Sequence, residues 1–255
     1  MNFQDKVVVI TGAGRGIGAA IAEGFACEKA SVVVNYRTDS AAADGVVKRC
    51  REAGGDAIAV EADVTHADRC AALMQRAIDE LGRIDVLVNN AFAPYAFDPE
   101  QRRRFGELGW DDYRAQFDGA VGAAFNACTA VLPHFRKRAS GTIVNLVTNL
   151  VDNPIVPYHD YATAKSALIG FSRNLASELG PLGVRVNCVA PGLVYPTRSS
   201  ASTRAGFRDS IAEATPLRRI ARPEDIAGPV MFLASDWSRF MTGQVIFVDG
   251  GLVMR

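Results

Sequence analysis

The sequence predicts one α/β domain with a parallel β-sheet covered by helices on both faces. Seven short apolar runs rich in β-branched residues recur along the 255 residues, and they cover residues 6–11, 31–36, 56–63, 84–90, 141–148, 184–191 and 244–251. Between most of them lie stretches of helical composition, at 16–29, 40–53, 66–81, 110–138 and 160–180. Strands that are apolar on both faces and alternate with helices are typical of a doubly wound parallel sheet. No compositional break divides the chain, so we expect a single domain over residues 1–255.

The composition is that of a soluble globular protein. Hydrophobic residues make up 49% and charged residues 22%, and 28 basic residues balance 28 acidic ones. This balance gives no reason to expect nucleic acid or a membrane surface as a partner. No apolar run reaches the roughly 18 residues that span a bilayer, and the N-terminus does not resemble a secretory signal. The five scattered cysteines lack CxxC or metal-ligand spacing. We therefore expect a reduced, metal-free protein of the cytoplasm.

Two long connections interrupt the alternation of strands and helices. One covers residues 92–109, after the fourth strand, and the other covers residues 192–222, after the sixth. Ligands of an open parallel sheet bind beyond the carboxyl ends of its strands. Long loops at those ends are where a substrate pocket is built, so we expect these two connections to form it.

A glycine-rich turn follows the first strand. The segment TGAGRGIG at 11–18 places Gly12, Gly14, Gly16 and Gly18 between a strand and an alanine-rich helix. A pyrophosphate can rest on the N–H groups of a helix N-terminus only where no side chains intervene. The context predicts a Rossmann-type dinucleotide site, and the alternative is a tight turn without a ligand.

The end of the second strand bears on which dinucleotide binds. The strand ends Asn35–Tyr36–Arg37, without the acid that bonds the ribose 2′-hydroxyl of NAD. Arg37 and Arg15 offer guanidinium groups for a 2′-phosphate, which favours NADP(H). Asp39 lies slightly further on and keeps NAD(H) open.

The segment YATAK at 161–165 places Tyr161 and Lys165 on one helical face. A neighbouring ammonium favours phenolate, so it would lower the tyrosine pKa and make the phenol a usable acid. An ordinary exposed pair remains the alternative, because this spacing is common by chance.

The chain resembles the classical short-chain dehydrogenases/reductases, and among them the β-ketoacyl-acyl carrier protein reductase-like group. The matching motifs, in order, are TGAGRGIG at 11–18, ADV at 62–64, NNA at 89–91, YATAK at 161–165, VNCVAPG at 186–192, RPEDIAGPVMFLAS at 222–235 and TGQVIFVDGG at 242–251. They extend over almost the whole length. Their order is specific for fold and cofactor and less specific for substrate.

The resemblance implies roles for individual residues. Tyr161 would be the catalytic acid/base, Lys165 would bind the nicotinamide ribose and lower the tyrosine pKa, and Thr148 would replace the family's serine. The expected cofactor-binding set is Gly12, Gly14, Arg15, Gly16, Ile17, Gly18, Arg37, Asp63, Val64, Asn90, Ala91, Tyr161, Lys165, Pro191, Gly192 and Thr197.

The implied activity is NADP(H)-dependent reduction of a ketone to a secondary alcohol, with a β-ketoacyl thioester of fatty acid biosynthesis, free or on acyl carrier protein, as the leading substrate. Another small ketone, sugar or alcohol is the alternative substrate. A nucleotide-binding protein with little catalysis is the alternative of another class. The resemblance also implies a homotetramer, with the C-terminal segment and the helices at 110–138 and 160–180 as interfaces.

Two residues depart from the family pattern. Phe92 stands where a glycine usually follows NNA, and its ring would either crowd the cofactor or form a wall of the substrate pocket. Ala120 aligns with an asparagine that is thought to hold a water beside the lysine. Asn126 is six residues further on, on another helical face, and is a poor substitute.

Overall fold

The computed structural model describes residues 1–254 and shows a seven-stranded sheet in which all strands are parallel. The strand order is β3-β2-β1-β4-β5-β6-β7. The strands are β1 (Val7–Ile10), β2 (Ser31–Tyr36), β3 (Asp56–Glu61), β4 (Val86–Asn89), β5 (Gly141–Leu146), β6 (Val184–Pro191) and β7 (Val245–Val248). All seven predicted strands are confirmed, and so is the doubly wound α/β class.

Within residues 1–254, eight α-helices connect or follow these strands. They are α1 (Gly16–Cys27), α2 (Ser40–Glu52), α3 (Ala67–Leu81), α4 (Trp110–Phe117), α5 (Ala123–Arg138), α6 (His159–Leu179), α7 (Ala205–Ala214) and α8 (Pro223–Ala234). Short 3₁₀ turns cover Phe105–Glu107, Asn149–Val151, Gly180–Leu182 and Asp236–Ser238.

The helices differ from the prediction at two places. The stretch 110–138 is not one continuous α-helix, because a π-helical turn at Asp118–Gly122 separates α4 from α5. Helices α7 and α8 were not predicted. The first lies inside the connection at 192–222, where prolines and a polar run obscure its pattern, and the second begins at Pro223 and contains Pro229. Proline is tolerated in the first turn of a helix and disfavoured in its interior.

The sheet is buried on both faces. Along β1, Val8 and Ile10 belong to one apolar cluster, which includes residues of α1, α2 and α8. Val7 and Val9 point to the other face and belong to a cluster with residues of α3, α5 and α6. Side chains alternate between the faces of a strand, so two layers of helices require a strand that is apolar throughout.

The chain order reverses between β1 and β4, since β2 and β3 lie on one side of β1 and β4 to β7 lie on the other. A crevice opens at such a reversal, at the carboxyl ends of the strands. Among residues 1–254, no helix is both long and apolar enough to cross a membrane.

Candidate active site

One cleft of about 1220 Å³ runs along the carboxyl ends of the strands. It brings together every residue that the sequence assigned to the site. Those lining residues are Gly12, Gly14, Arg15, Gly16, Ile17, Gly18, Arg37, Asp63, Val64, Asn90, Ala91, Thr148, Tyr161, Lys165, Pro191, Gly192 and Thr197. The two long connections contribute to the same cleft.

The glycine-rich turn leads from β1 into α1. Gly12 and Gly16 have φ angles of +63° and +53°. The N-cap residue of α1 is Arg15, whose side chain forms no capping hydrogen bond, and the first turn contains no acidic residue. Uncapped N–H groups at a helix N-terminus attract an anion. The turn therefore fits a pyrophosphate.

Close packing holds this turn against β4. A Cβ atom at Gly18 would lie 2.6 Å from the Gly12 carbonyl oxygen and 2.7 Å from Nδ2 of Asn90. The Asn90 amide donates to the carbonyl oxygens of Thr11 and Gly12, at 2.9 and 3.0 Å. The Thr11 hydroxyl accepts from the backbone N–H groups of Asn90 and Ala91, both at 3.0 Å. Asn90 thus fixes the backbone of the turn.

Asn35 is a further organising residue that sequence reasoning missed. It is buried in β2, where its Oδ1 accepts from the N–H of Gly12 at 3.1 Å. Its Nδ2 donates to the carbonyl oxygens of Val60 and Ala62, at 3.2 and 3.0 Å. The available signal was a polar amide directly after the three valines of SVVVNY, inside a strand that is otherwise buried and apolar there. The side chain joins the ends of β1, β2 and β3.

Both candidate phosphate-binding arginines are near acids. Arg15 lies 3.2 Å from Asp39, and Arg37 lies 3.9 Å from Asp63. Asp39 also caps α2 by accepting from the N–H of Ala42 at 3.0 Å. An arginine suits a 2′-phosphate and an aspartate suits a 2′-hydroxyl. The rim of the cleft thus offers groups for either nucleotide.

The catalytic candidates meet where β5 ends. Lys165 is buried and donates from Nζ to the Leu146 carbonyl oxygen at 2.7 Å. This ammonium lies 5.8 Å from the centroid of the Tyr161 ring. Thr148 is buried, and its Oγ1 accepts from the N–H of Leu150 at 3.3 Å. A hydroxyl that accepts one bond can still donate its own hydrogen.

Burial sets the protonation of this group. It lowers the pKa of the Lys165 ammonium from 10.5 to about 8. It raises the pKa of the Tyr161 phenol, while a hydrogen bond from Thr148 acts in the opposite direction. The net direction for Tyr161 differs from the expected lowering. The reason is that burial in apolar surroundings penalises the charged phenolate form.

A buried polar chain fastens α6 to the sheet. Nδ2 of Asn89 donates to Oδ1 of Asn145 at 2.8 Å, and Nδ2 of Asn145 donates to the Ser172 hydroxyl at 2.7 Å. The Ser172 hydroxyl donates to the Leu168 carbonyl oxygen at 2.6 Å. Buried polar groups need partners, so this chain restricts where α6 sits on β4 and β5.

Four rings form one side of the pocket around Tyr161. We call Phe92, Tyr95, Phe97 and Tyr158 the aromatic wall. The ring centroids of Phe92, Tyr95 and Phe97 lie 5.9, 5.2 and 5.1 Å from that of Tyr161. Tyr158 packs on Tyr95 at 5.6 Å and on Phe97 at 5.4 Å. The Phe92 ring also lies 5.3 Å from Nζ of Lys165, so it borders both catalytic candidates.

Hydrogen bonds and an ion pair join the two long connections to each other. The N–H of Phe97 donates to the Ser199 carbonyl oxygen at 2.8 Å. The Thr203 hydroxyl donates to the Phe97 carbonyl oxygen at 2.7 Å. Arg204 and Glu100 form an ion pair nearby. Hydrogen bonds and an ion pair therefore join residues slightly more than 100 positions apart in the chain on this side of the pocket.

The π-helical turn lies behind the aromatic wall. A Cβ atom at Gly119 would be 2.6 Å from the backbone nitrogen of Ala93, so this turn packs directly on the wall segment. Ala120 is buried in the same turn. Nδ2 of Asn126 donates to the Val64 carbonyl oxygen at 3.2 Å, at the end of β3. Asn126 is therefore occupied elsewhere. π-Helical turns are frequent at functional sites.

The residue after Thr148 is tied to the last strand. Asn149 is buried, and its Nδ2 donates to Oδ2 of Asp249 at 3.0 Å. Asp249 also accepts from the N–H groups of Gly251 and Val253, at 3.1 and 3.0 Å.

The end of β6 completes the cleft. The N–H of Gly192 donates to the Val248 carbonyl oxygen at 3.2 Å. Thr197 reaches the glycine-rich turn, since its Cβ lies 3.7 Å from where a Cβ at Gly16 would be. Among residues 1–254, no cluster of three or more His, Cys, Asp or Glu side chains could hold a metal ion.

Comparison with known proteins agrees with this geometry. Residues 12–253 match the family model described as Enoyl-(Acyl carrier protein) reductase. An uncharacterized oxidoreductase of Methylorubrum extorquens is 41% identical over 256 residues, which cover 98% of this chain and 99% of the relative. The short-chain reductase protein NovJ of Streptomyces niveus is 39% identical over 97% of this chain and 94% of its own. The 3-oxoacyl-[acyl-carrier-protein] reductase of Synechocystis is 38% identical, over 98% and 97%.

Solved structures lead to the same family. A 7α-hydroxysteroid dehydrogenase, complexed with NADH and 7-oxo glycochenodeoxycholic acid, superposes with a TM-score of 0.89 at 33% identity, covering 100% of this chain and 96% of its own. A gluconate 5-dehydrogenase of Burkholderia cenocepacia, in complex with NADP and tartrate, gives 0.89 at 30% identity, over 98% and 96%. The chain belongs to the short-chain dehydrogenase/reductase family and is an NAD(P)-dependent oxidoreductase.

Proposed function

We propose that this protein is an NADP(H)-dependent reductase of ketones in which Tyr161 is the acid/base. The observation that carries the proposal is the single cleft that holds Tyr161, Lys165 and Thr148 together with the glycine-rich turn. Each of these features has alternatives by itself. Their convergence at the carboxyl ends of the strands is what a hydride-transfer site requires.

The chain's own residues handle the oxygen and the proton. When bound, the nicotinamide supplies or removes the hydride at the carbonyl carbon. Burial keeps the Tyr161 phenol protonated, so it is ready to donate to the carbonyl oxygen during reduction. The Thr148 hydroxyl can donate a hydrogen bond to the same oxygen and hold it in place.

Lys165 acts through charge. Burial lowers its pKa to about 8, so the side chain keeps its positive charge at neutral pH, and that charge near the phenol stabilises the tyrosinate left after proton transfer. In the absence of a polar side chain at position 120, we propose that water or backbone groups return the proton to Tyr161.

NADP(H) is the proposed cofactor. Arg15 and Arg37 line the cleft beside the end of β2, where a 2′-phosphate would lie. Their partners Asp39 and Asp63 are at 3.2 and 3.9 Å, and all four side chains are at least partly exposed to solvent. Exposed ion pairs contribute about 0–1 kcal/mol, so a phosphate can compete for these guanidinium groups.

A β-ketoacyl thioester is the proposed substrate. It is supported by relatives named 3-oxoacyl-[acyl-carrier-protein] reductase, among them one of Staphylococcus epidermidis at 34% identity. The second candidate is another ketone, and the aromatic wall favours one whose rings or chains are apolar. Of the two dehydrogenases that superpose with a TM-score of 0.89, the 7α-hydroxysteroid dehydrogenase is complexed with such a ring ketone. A sugar suits these rings less, because they offer few polar groups.

We also propose a homotetramer in the cytoplasm. Trp110 on α4 and Phe125 on α5 are 69% and 55% exposed, and Trp237 and Phe240 before β7 are 76% and 102% exposed. These residues lie in or beside segments that the family resemblance marks as interfaces. Exposed apolar surface of this kind is covered in assemblies.

The test is a carbonyl panel followed at the nicotinamide absorbance. Purified protein with NADPH or NADH is given β-ketoacyl thioesters, diketones, ring ketones, ketosugars and quinones. We expect oxidation of NADPH with a β-ketoacyl thioester, and a higher kcat/KM with NADPH than with NADH. Equal or reversed values would contradict the cofactor assignment. Tight NADPH binding with no turnover of any carbonyl would instead favour a catalytically weak nucleotide-binding protein.

A further inference from the structure

The hydroxyl of Tyr95 is bonded to a buried carboxylate beside the catalytic tyrosine. It donates to Oδ1 of Asp160 at 2.8 Å. Asp160 is 7% exposed, lies in the first turn of α6 and directly precedes Tyr161 in the chain. Among residues 1–254, the hydrogen bond that this carboxylate accepts comes from Tyr95. A buried carboxylate without a donor is costly, so the bond holds Tyr95 firmly in place.

Tyr95 also has the central position in the aromatic wall. Its ring contacts Phe97 at 5.4 Å, Tyr158 at 5.6 Å and Tyr161 at 5.2 Å. The planes of Tyr95 and Tyr161 are inclined by only 31°, whereas Phe97 meets Tyr161 edge-on at 76°. A shift of Tyr95 therefore moves the surface that a substrate meets next to the reacting phenol.

The rest of the segment is held by backbone contacts. Phe97 is bonded to Ser199 and Thr203 at one end, and the π-helical turn at Gly119 packs on Ala93 near the other. The Tyr95–Asp160 bond is the side-chain hydrogen bond that joins the segment to α6, the helix that holds both Tyr161 and Lys165.

We propose that Tyr95 is a positioning and specificity-determining residue: its hydrogen bond to Asp160 fastens the aromatic wall to the catalytic helix and so sets the width of the carbonyl pocket. The inference rests on the proposed reductase function. In this role Tyr95 selects carbonyl substrates by their size, because it shapes the pocket around Tyr161. It takes no direct part in proton or hydride transfer.

The first test is selectivity in Tyr95→Phe, which keeps the ring and loses the bond. The measured quantity is the ratio of kcat/KM for acetoacetyl thioester to that for a bulky ring ketone, with NADPH saturating. We expect this ratio to change by about 10-fold, since a hydrogen bond to a charged group is of that strength. The dissociation constant of NADPH should change less than 2-fold. An unchanged ratio overturns the proposal, because a purely structural role lowers stability without altering selectivity.

Variants at Asp160 separate the bond from general damage. Asp160→Asn retains an acceptor oxygen and should keep the wild-type ratio, whereas Asp160→Leu should reproduce the change seen in Tyr95→Phe. The double variant Tyr95→Phe/Asp160→Leu should change the ratio of kcat/KM values no further than either single variant does. Asp160→Asn behaving like Asp160→Leu, or additive effects in the double variant, would refute the fastening. Tyr158→Phe removes a hydroxyl from the same wall and should have a smaller effect.

A second measurement does not depend on turnover. Hydrogen–deuterium exchange of residues 92–97 in the protein without substrate reports directly on how firmly the segment is held. We expect roughly 10-fold faster exchange in Tyr95→Phe and a smaller change in Tyr158→Phe. Unchanged exchange overturns the proposal. Faster exchange in a protein that reduces no carbonyl would refute the reductase function alone and leave the fastening established.

Discussion

The two halves of the cleft are built in different ways. The nucleotide half, around the glycine-rich turn and the ends of β2 and β3, consists largely of backbone held by the amide side chains of the buried Asn35 and the half-buried Asn90. The substrate half consists of side chains, and its aromatic wall is brought to Tyr161 by two loops that bond to each other. The first half is thus held by hydrogen bonds to the backbone at the strand ends, and the second by ring contacts and a few hydrogen bonds between loops. We expect damage to the first to affect cofactor affinity and damage to the second to affect the carbonyl substrate.

The largest expected effect is at the reacting phenol. Tyr161→Phe should lower kcat by about 10² to 10⁴, the usual contribution of a general acid or base, while the NADPH dissociation constant stays nearly unchanged. The measurement is steady-state kinetics with fluorescence titration of NADPH. Tyr113→Phe, which alters a tyrosine stacked on Trp110, is the matched control. Retained turnover in Tyr161→Phe would contradict the assignment of the acid.

The next effect tests the rigidity of the nucleotide half. Gly18→Ala places a methyl group 2.6 Å from the Gly12 carbonyl oxygen, and the close packing of the turn prevents that oxygen from moving away. We expect NADPH affinity to fall at least about 10-fold and the free energy of unfolding to fall by about 1–3 kcal/mol, the usual cost of overpacking. Gly170→Ala, in an open position on α6, should be neutral or stabilising. Comparable affinity in both variants would show that the turn is not the binding platform.

The corresponding substitution in the substrate half should leave the affinity for NADPH unchanged. Gly119→Ala would push the π-helical turn against the backbone of Ala93, so we expect KM for the ketone to rise several-fold by displacement of the aromatic wall. Gly122→Ala is the control, because the nearest atom to its new Cβ is the Phe117 oxygen at 3.8 Å. A loss of NADPH affinity in Gly119→Ala, equal to the rise in KM, would erase the distinction between the halves.

The smallest effect is on stability and reports the burial of Lys165. Its pKa is about 8 in the folded chain and 10.5 when unperturbed. Between these values the unfolded chain binds more protons, so the contribution of Lys165 to stability rises with pH, by about 1 kcal/mol per pH unit. Urea unfolding of wild type and Lys165→Met at pH 7 and 9 measures this difference. The gap between them should shift in favour of wild type at pH 9. A pH-independent gap would place the lysine in contact with water.

Contiguous sequence predicted the glycine-rich turn and the pair Tyr161 and Lys165 better than the aromatic wall. The turn at 11–18 and the pair Tyr161 and Lys165 depend on short-range spacing, which strand and helix periods reveal directly. The aromatic wall depends on contacts of residues 92–97 with Tyr158 and Tyr161, and no local sequence pattern predicts these contacts. The direction of the Tyr161 pKa was also inaccessible, since it depends on burial by those rings.

The fold shows the same division. Strands were predictable because burial on both faces requires apolar runs, as in β5. The π-helical turn at 118–122 and helix α7 have weak local signals, and tertiary packing decides them. No local pattern indicates the pair of Tyr95 and Asp160, because the two residues are 65 positions apart and only the fold brings them together.

The hydrogen bond between Asn149 and Asp249 has a consequence for how the chain acquires its activity. It joins residues 100 positions apart, one beside Thr148 and the other just after β7 at the edge of the sheet. Contacts of such sequence separation form late, because the intervening loop must close first. During refolding, helix content measured by circular dichroism should return before enzyme activity does. We therefore expect the turn that contains Thr148 to reach its final shape only after β7 has joined the sheet.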